Sequence, residues 1–387
     1  MSQGASTSQP FNPFAGMFHG PDAQTMWGPW AAWINEVQQA QARFSAAMPK
    51  VMAAARKATK GCTPHEVVMT EAPVRLIRYQ GKADRRFATP VLFVFALVNR
   101  PYVLDLLPHK SVVRRFLDAG FDVYLIDWGV PTPSDGGKTL HDYVEGHLHN
   151  AVTRILDLTG SPQVNLVGYC MGGTLSAMYT SLHQDLVRNL ILMAAPFDWT
   201  PGQTLLSCWT DPRYFNVDAL CDAMPLIPPA LLGSSFVMLK PVANLFQKWT
   251  TFFERMDDEK FLEEFFAMEL WTNDNIPICA EVYRDFVKYC FQQNLLRRGE
   301  FPLGRRKINL GNITCPVLNL TASADHLVDP VQSHPVRELV SSTDFEAIQV
   351  QAGHIGLSVG SKAHKELWPR ATAWLADRSE PIEVPAG

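Results

Sequence analysis

The sequence predicts an α/β fold in which a mostly parallel sheet has helices on both faces and carries an inserted helical cap. Apolar runs alternate with helix-forming stretches, which is typical of parallel sheets. A glycine-rich turn at residues 168–173 joins one such run to a helical stretch. Residues 194–316, rich in Phe, Trp, Leu and Met, separate two of the strand-like runs. The length of 387 residues allows one large domain with an insertion, or two domains.

Composition and charge exclude some classes of function. The chain is 47% hydrophobic and 19% charged, an ordinary globular balance with ample material for a core. Its net charge of −4 argues against a general nucleic-acid binder, whose binding surface is basic. A partner that carries phosphate would therefore need a local basic patch.

The N-terminal part of the chain divides into an arm and a helix. Residues 1–25 are rich in Ser, Gln, Gly and Pro, and we predict a flexible arm there. Residues 26–60 form a predicted amphipathic helical segment. Its apolar stripe consists of Trp30, Trp33, Ile34, Val37, Phe44 and Met48. This stripe is suited to a partner helix, to an apolar polymer surface or to the protein's own core.

The remaining elements follow in order. We predict strands at residues 67–69, 74–79, 91–95, 121–126, 164–167, 190–193, 317–320 and 345–350, the first two as an antiparallel edge pair. We predict helices at residues 111–119 and 140–158, after the turn at 168–173, and at 237–253, 258–271 and 280–296. Residues 61–195 and 312–387 then form the core, and residues 196–311 form the cap.

The turn at residues 168–173 reads Gly-Tyr-Cys-Met-Gly-Gly. Its position between a strand and a helix is that of a nucleophile elbow, where a G-x-S-x-G motif places a serine. Here Cys170 takes the serine position. A thiolate forms thioesters, which keep an acyl group activated for transfer. The motif therefore indicates an acyltransferase first and a hydrolase second.

An acid and a histidine follow Cys170 in the order that the α/β-hydrolase fold requires. Asp325 comes after the strand at 317–320, and His354 comes after the strand at 345–350. Loops at the carboxyl ends of parallel strands are where such sheets place their chemistry. Asp329 is an alternative acid, but it precedes Pro330 and that pair favours a turn.

These residues have defined chemical roles in the predicted site. His354 would take the proton of the Cys170 thiol, and Asp325 would orient the imidazole. The tetrahedral oxyanion needs two backbone N–H donors. We expect the donors to be Met171, next to the nucleophile, and Val98, in the loop after the strand at 91–95.

The seven cysteines contain no CxxC pair, so the spacing predicts neither a zinc site nor a redox motif. No secretory signal and no run of about 18 apolar residues is evident. We expect a cytosolic protein with reduced thiols and without a metal.

The blocks that carry this chemistry resemble one family closely. The 168–173 motif is similar to the lipase-like box of polyhydroxyalkanoate synthases, whose nucleophile is cysteine. Residues 96–106, 122–129, 324–328 and 353–356 resemble further blocks of that family in the same order. The short length and residues 237–241 look most like the class III catalytic subunits, with class IV next. This chain departs from them by about 25 extra residues before the amphipathic helix.

The resemblance implies a reaction, a substrate and partners. An (R)-3-hydroxyacyl-CoA, with 3-hydroxybutyryl-CoA as the expected short-chain substrate, acylates Cys170 and CoA leaves. The 3-hydroxyl of another unit then attacks and extends a polyester, and Asp325 is expected to help activate that hydroxyl. No cofactor is implied, since CoA is part of the substrate. The family suggests a granule surface, a second synthase subunit and a homo-oligomer, and His326 as a substrate-binding residue.

Basic residues that could meet CoA phosphates are Arg297, Arg298 and residues 305–307, although a solvated charged face is the simpler explanation. Two other functions remain open. A cysteine-dependent thioesterase or dienelactone-hydrolase-like enzyme would pass the acyl group to water. A granule-surface protein would bind polymer through its N-terminal helix and keep only a vestigial catalytic core.

Overall fold

The computed structural model describes residues 21–200 and 204–382. The strands in this part of the chain are β1 (His65–Glu71), β2 (Val74–Tyr79), β3 (Val91–Val94), β4 (Val123–Asp127), β5 (Val164–Tyr169), β6 (Val187–Met193), β7 (Leu226–Ile227), β8 (Ile278–Cys279), β9 (Phe301–Leu303), β10 (Arg306–Ile308), β11 (Val317–Ala322) and β12 (Phe345–Val350).

The α-helices are α1 (Pro21–Lys57), α2 (Val112–Asp118), α3 (His149–Thr159), α4 (Met171–Leu182), α5 (Leu205–Trp209), α6 (Val217–Ala223), α7 (Pro229–Met238), α8 (Lys248–Arg255), α9 (Glu259–Thr272), α10 (Ala280–Asp285), α11 (Pro330–Ser333), α12 (Val336–Leu339), α13 (Gly356–Val359) and α14 (Trp368–Ala376). Segments of π-helix extend four of them: Asp142–Leu148, Ala243–Gln247, Phe286–Gln292 and Ala363–Leu367.

One eight-stranded sheet forms the centre of the molecule, in the order β1-β2-β4-β3-β5-β6-β11-β12. The β1–β2 and β2–β4 pairs are antiparallel, and the pairs from β4 to β12 are parallel. Each of the predicted strand runs lies in this sheet. The α/β-hydrolase fold with a mostly parallel sheet, expected from the alternation of apolar runs and helices, is therefore confirmed.

The central strands are the most buried part of the fold. β3, β4 and β5 are buried along their whole length, as parallel strands covered on both faces require. Their apolar side chains explain why sequence alone located these strands. The carboxyl ends of β5, β11 and β12 point to one edge of the sheet, and this edge carries the candidate catalytic residues.

Within the described residues, helix α1 runs from Pro21 to Lys57, so it includes residues 21–25 of the predicted arm. The rest of the predicted arm, residues 1–20, lies outside the described residues. Of the predicted apolar stripe, Trp30, Trp33, Val37 and Phe44 are exposed, whereas Ala47 and Val51 on the same helix are buried.

Of the helical stretches predicted between β6 and β11, the one at 258–271 corresponds to α9, and the one at 280–296 corresponds to α10 with its π-helical extension to Gln292. α8, α9 and the C-terminal half of α1 share an apolar cluster of Ala47, Val51, Phe252, Met256 and Leu262. The prediction of one continuous helix at residues 237–253 was wrong. The chain breaks around Pro241, which has no N–H to continue a helix, and the two helical pieces on either side meet at 101°.

Within the described residues, no single helix has both the length and the apolar composition needed to cross a membrane. The bent pair Pro229–Met238 and Ala243–Arg255 reaches those limits only when its two helices are counted together.

Candidate active site

Cys170 lies on the sharp turn between β5 and α4. Its backbone adopts φ 56° and ψ −128°, a left-handed conformation that non-glycine residues seldom hold. Its N–H donates to the Met193 carbonyl at 2.8 Å, which holds the turn against β6. The Cys170 side chain is only half-buried. The turn thus presents the thiol at the carboxyl edge of the sheet.

Glycines on both sides of Cys170 make this turn possible. A Cβ at Gly172 would collide with the backbone of Val94 and Phe95, and one at Gly173 would lie 2.5 Å from the Ala195 side chain. A Cβ at Gly168 would collide with Gly173. The start of α4 therefore packs directly against the end of β3, which brings the loop after β3 close to the nucleophile.

Asp325 and His354 form a buried pair beyond the ends of β11 and β12. The His354 Nδ1 and the Asp325 Oδ2 are 2.7 Å apart. The other carboxylate oxygen, Oδ1, accepts the N–H groups of Leu327 and Val328, both at 2.9 Å. The Asp325 side chain has no exposed surface and that of His354 is 9% exposed. The carboxylate is thus held by its own loop and orients the imidazole.

Electrostatics in this pocket favour an imidazolium. Burial lowers the pKa of His354, but the neighbouring Asp325 carboxylate and Cys170 more than offset burial and raise it to about 10. Cys170 is thus close enough to the imidazole to act on its charge. An imidazolium beside the sulfur stabilises a thiolate, and the N-terminus of α4 adds its partial positive charge.

Burial makes most of the other cysteines poor candidates for a nucleophile. It raises the pKa of Cys62 to about 12, and of Cys221 and Cys315 to about 11. It also raises the pKa of Cys279 and Cys290. A raised pKa keeps these groups as thiols, which are poor nucleophiles. Cys208 is exposed on α5, away from any elbow.

The two expected oxyanion donors lie on either side of the glycine contact. Met171 is the first residue of α4, where backbone N–H groups lack an intrahelical acceptor. Val98 lies in the turn that follows β3, half-buried against the main core. The contact of Gly172 with Val94 and Phe95 joins these two segments. Their roles as donors stay predictions.

Two contacts of Tyr169 were not predicted from the sequence. Its ring stacks on His354 with centroids 5.1 Å apart and an interplanar angle of 27°. Its hydroxyl donates to the His354 carbonyl at 2.9 Å. The one available signal was its position directly before Cys170 at the end of a strand, which places its side chain near the catalytic edge.

The loop after β3 is also tied to the end of α9. Trp271 donates its indole N–H to the Arg100 carbonyl at 2.7 Å. Asp274 accepts the Tyr102 hydroxyl at 3.2 Å and pairs with Lys60 at 2.7 Å. Sequence reasoning missed these contacts, because they join segments far apart in the chain.

Other residues singled out in the sequence lie outside the triad. His326 is exposed next to Asp325. Asp329 accepts the Val331 N–H at 3.0 Å and caps α11, as its turn context predicted. Arg297 pairs with Asp198, Arg298 with Glu300, and Arg306 with Glu145. Internal ion pairs therefore account for much of the basic cluster.

Across residues 21–200 and 204–382, no group of three or more His, Cys, Asp or Glu side chains is arranged to hold a metal ion. The chemistry described above needs only the thiol, the imidazole, the carboxylate and backbone N–H groups.

Comparison with protein families agrees with this geometry. Residues 90–361 match the α/β hydrolase fold family, and residues 24–116 match the N-terminal region of poly-β-hydroxybutyrate polymerase (PhaC). Among solved structures, DcsB in complex with its substrate analogue has a TM-score of 0.50 and 15% identity, covering 82% of this chain and 99% of that chain. This likeness concerns the fold alone.

Curated relatives carry the name poly(3-hydroxyalkanoate) polymerase subunit PhaC. The protein of Haloarcula marismortui is 37% identical over 96% of this chain and 78% of its own length. That of Allochromatium vinosum is 39% identical, over 82% and 90% respectively. That of Haloferax mediterranei is 44% identical over 83% of this chain, but the match spans only 65% of that protein.

The fold and the 90–361 match make this chain a member of the α/β-hydrolase-fold proteins, with a cysteine at the elbow. Within that class, it belongs to the family of poly(3-hydroxyalkanoate) polymerase subunits and is an acyltransferase.

Proposed function

We propose that this chain polymerises (R)-3-hydroxyacyl-CoA thioesters into a polyester, with Cys170 carrying the acyl group as a covalent thioester. The observation that carries the proposal is the strained elbow at Cys170 beside the buried His354–Asp325 pair. We propose 3-hydroxybutyryl-CoA as the substrate, in keeping with the name of the family that matches residues 24–116.

Acylation starts from a thiolate–imidazolium pair, in which the Cys170 proton has already passed to His354. The thiolate attacks the thioester carbonyl, and the oxyanion formed accepts the N–H groups of Met171 and Val98. The carbon–sulfur bond to CoA then breaks, and His354 returns the proton to the departing CoA thiolate. One thioester replaces another, so this step changes the free energy little.

Elongation transfers the acyl group to a hydroxyl. His354, neutral after CoA has left, removes the proton of the 3-hydroxyl of another unit, and the alkoxide attacks the thioester on Cys170 to form an oxoester. The carbon–sulfur bond to Cys170 then breaks, and His354 shares its proton with the released Cys170 thiolate. Asp325 was expected to help activate this hydroxyl. Its geometry favours His354 as the base, because one Asp325 oxygen faces His354 and the other accepts two backbone N–H groups.

Excluding water separates this reaction from hydrolysis. The segment between β6 and β11 carries many aromatic residues, and α9 lies against the loop after β3 through Trp271. A cap that covers the acyl group would keep water from competing with the hydroxyl. Residues 196–311 serve as this cap in our proposal.

Apolar side chains left on the surface favour partners. Trp30 and Trp33 on α1, and Val242 and Phe246 before α8, are more than half exposed. Exposed apolar patches mark interaction surfaces. We place the protein at the surface of polyester granules, with a second synthase subunit and a second copy of this chain as further partners. Because residues 237–241 resemble the class III catalytic subunits most, with class IV next, we propose class III and keep class IV as the alternative.

The test is to incubate the purified chain with (R)-3-hydroxybutyryl-CoA and measure both CoA release and product. The proposal predicts insoluble polyester in step with CoA release, and a lag that an added second subunit shortens. Cys170→Ala abolishes both, while Cys208→Ala, at an exposed cysteine elsewhere, keeps both. Free hydroxybutyrate as the only product would instead show that water is the acceptor and that the chain is a thioesterase.

A further inference from the structure

Tyr169 joins the nucleophile turn to the loop that carries the general base. It is the last residue of β5, directly before Cys170, and it is 1% exposed. Its ring lies over the His354 imidazole at 5.1 Å and 27°. Its hydroxyl donates to the His354 carbonyl at 2.9 Å. One side chain therefore contacts both the ring and the backbone of His354.

The surroundings hold the Tyr169 ring in place. Phe95 meets it edge-on, with ring centroids 5.3 Å apart. The Phe95 carbonyl in turn accepts the Trp128 indole N–H at 2.9 Å. Burial raises the pKa of Tyr169 well above its usual value, so the phenol keeps its proton and remains a donor.

A hydrogen bond to Asp325 alone would leave the His354 imidazole free to tilt. A single hydrogen bond to Nδ1 fixes that nitrogen but allows the ring to rock about the bond. A flat aromatic ring on the imidazole face opposes this rocking, and it also favours the imidazolium, because aromatic faces attract cations. The hydroxyl contact fixes the main chain of the same residue.

We propose that Tyr169 is a positioning residue for acyl transfer, which holds the His354 ring and backbone so that the imidazole faces the Cys170 sulfur. The inference rests on the proposed roles of Cys170 and His354. It adds a third support to the base: Asp325 acts at one ring nitrogen, Tyr169 acts on the ring face, and the Tyr169 hydroxyl acts on the main chain.

Two substitutions separate the hydroxyl from the ring. Tyr169→Phe removes the hydroxyl and keeps the ring, and the His354 carbonyl still accepts the Leu357 N–H at 3.2 Å, so this variant leaves no buried carbonyl unpaired. Tyr169→Leu removes the ring as well. Tyr179→Phe is the matched control, because its fully buried hydroxyl meets His149 at 3.1 Å rather than His354.

The measurement is the rate of Cys170 alkylation by iodoacetamide, followed on its own peptide by mass spectrometry. It is made from about pH 5 to pH 9, which brackets ordinary imidazole and thiol titration. Tyr169→Phe should slow alkylation at neutral pH by roughly twofold to tenfold, the range of one neutral hydrogen bond. Both variants should move the pH midpoint upward, Tyr169→Leu further, while Tyr179→Phe leaves it unchanged.

An unchanged midpoint in Tyr169→Phe and in folded Tyr169→Leu would overturn the proposal, even if their melting temperatures fell, because a merely structural residue does not move that midpoint. Should Tyr169→Leu fail to fold, the midpoint of Tyr169→Phe decides alone. Failure of the proposed function has a different signature: either the wild-type protein releases only free hydroxybutyrate, or Cys170→Ala still makes polyester, whatever the Tyr169 variants show.

Discussion

Trp271 and Arg100 are joined by a hydrogen bond of 2.7 Å between the indole N–H and the backbone carbonyl. Trp271 lies at the end of α9, and Arg100 lies in the loop between β3 and the short helix Pro101–Leu104. The bond ties the region between β6 and β11 to the segment that holds Val98. We therefore expect movement of α9 to change the position of the expected oxyanion donor.

Trp271→Phe tests this coupling. The substitution keeps an aromatic ring but removes the N–H donor, so the Arg100 carbonyl loses its partner. We expect the rate of CoA release in the first turnover to fall by roughly threefold to tenfold, as for one neutral hydrogen bond of about 1 kcal/mol. Trp249→Phe, at an exposed tryptophan of α8, should keep the wild-type rate. Equal rates in both variants would mean that α9 does not influence the oxyanion loop.

Gly172→Ala tests the contact that brings α4 against β3. The added Cβ collides with backbone atoms of Val94 and Phe95, which cannot move aside as a flexible side chain would. We expect a loss of about 1–3 kcal/mol in the free energy of unfolding, measured with urea. Gly146→Ala is the control: nothing lies within 4 Å of its added Cβ, and alanine favours helix. A Gly172→Ala protein as stable as wild type would contradict the packing described here.

Asp325→Asn separates the two roles considered for this carboxylate. Removing its charge lowers the pKa of His354 and weakens the orientation of the ring, so acylation of Cys170 should fall on the order of 10²-fold or more. Since both oxygens of Asp325 are engaged, elongation should fall in parallel. Asp329→Asn, at the cap of α11, should retain activity. Intact acylation with stalled elongation would restore the role of Asp325 in activating the hydroxyl.

The raised pKa of His354 makes stability depend on pH. The folded protein holds this proton up to about pH 10, whereas an unfolded histidine releases it near 6.5. Its contribution to stability is therefore complete below about pH 6.5 and is lost as the pH rises towards 10. Urea unfolding should show a larger loss of stability between these pH values in wild type than in His354→Gln. Equal losses would contradict the ion pair with Asp325.

Much of the fold followed from local patterns. The sheet strands are short apolar runs whose burial is visible in their composition, and the order of Cys170, Asp325 and His354 predicted three residues at one edge of the sheet. The position of each residue just after a strand was sufficient to predict this, because parallel strands bring their carboxyl ends together at one edge. The helix break at Pro241 could also have been predicted, since proline cannot continue a helix. The apolar spacing of residues 237–253 instead favoured one helix.

What local patterns did not show depends on contacts between distant segments. Tyr169 reaches the His354 carbonyl from β5, and Trp271 reaches Arg100 from α9. Helix α1 packs against α8 and α9 through Ala47 and Val51 in its C-terminal half, whereas Trp30 and Trp33 of its apolar stripe are exposed. No spacing rule separates the buried half of such a stripe from the exposed half, because the partner surface decides it.

The most direct test of the central claim is to find the acyl group itself. The protein is mixed briefly with (R)-3-hydroxybutyryl-CoA, quenched in acid and digested, and the peptide that contains Cys170 is examined by mass spectrometry. The account predicts a 3-hydroxybutyryl thioester on Cys170 in wild type and in Cys208→Ala, and none in Cys170→Ala. CoA release without any adduct at Cys170, or an adduct on another residue, would contradict it.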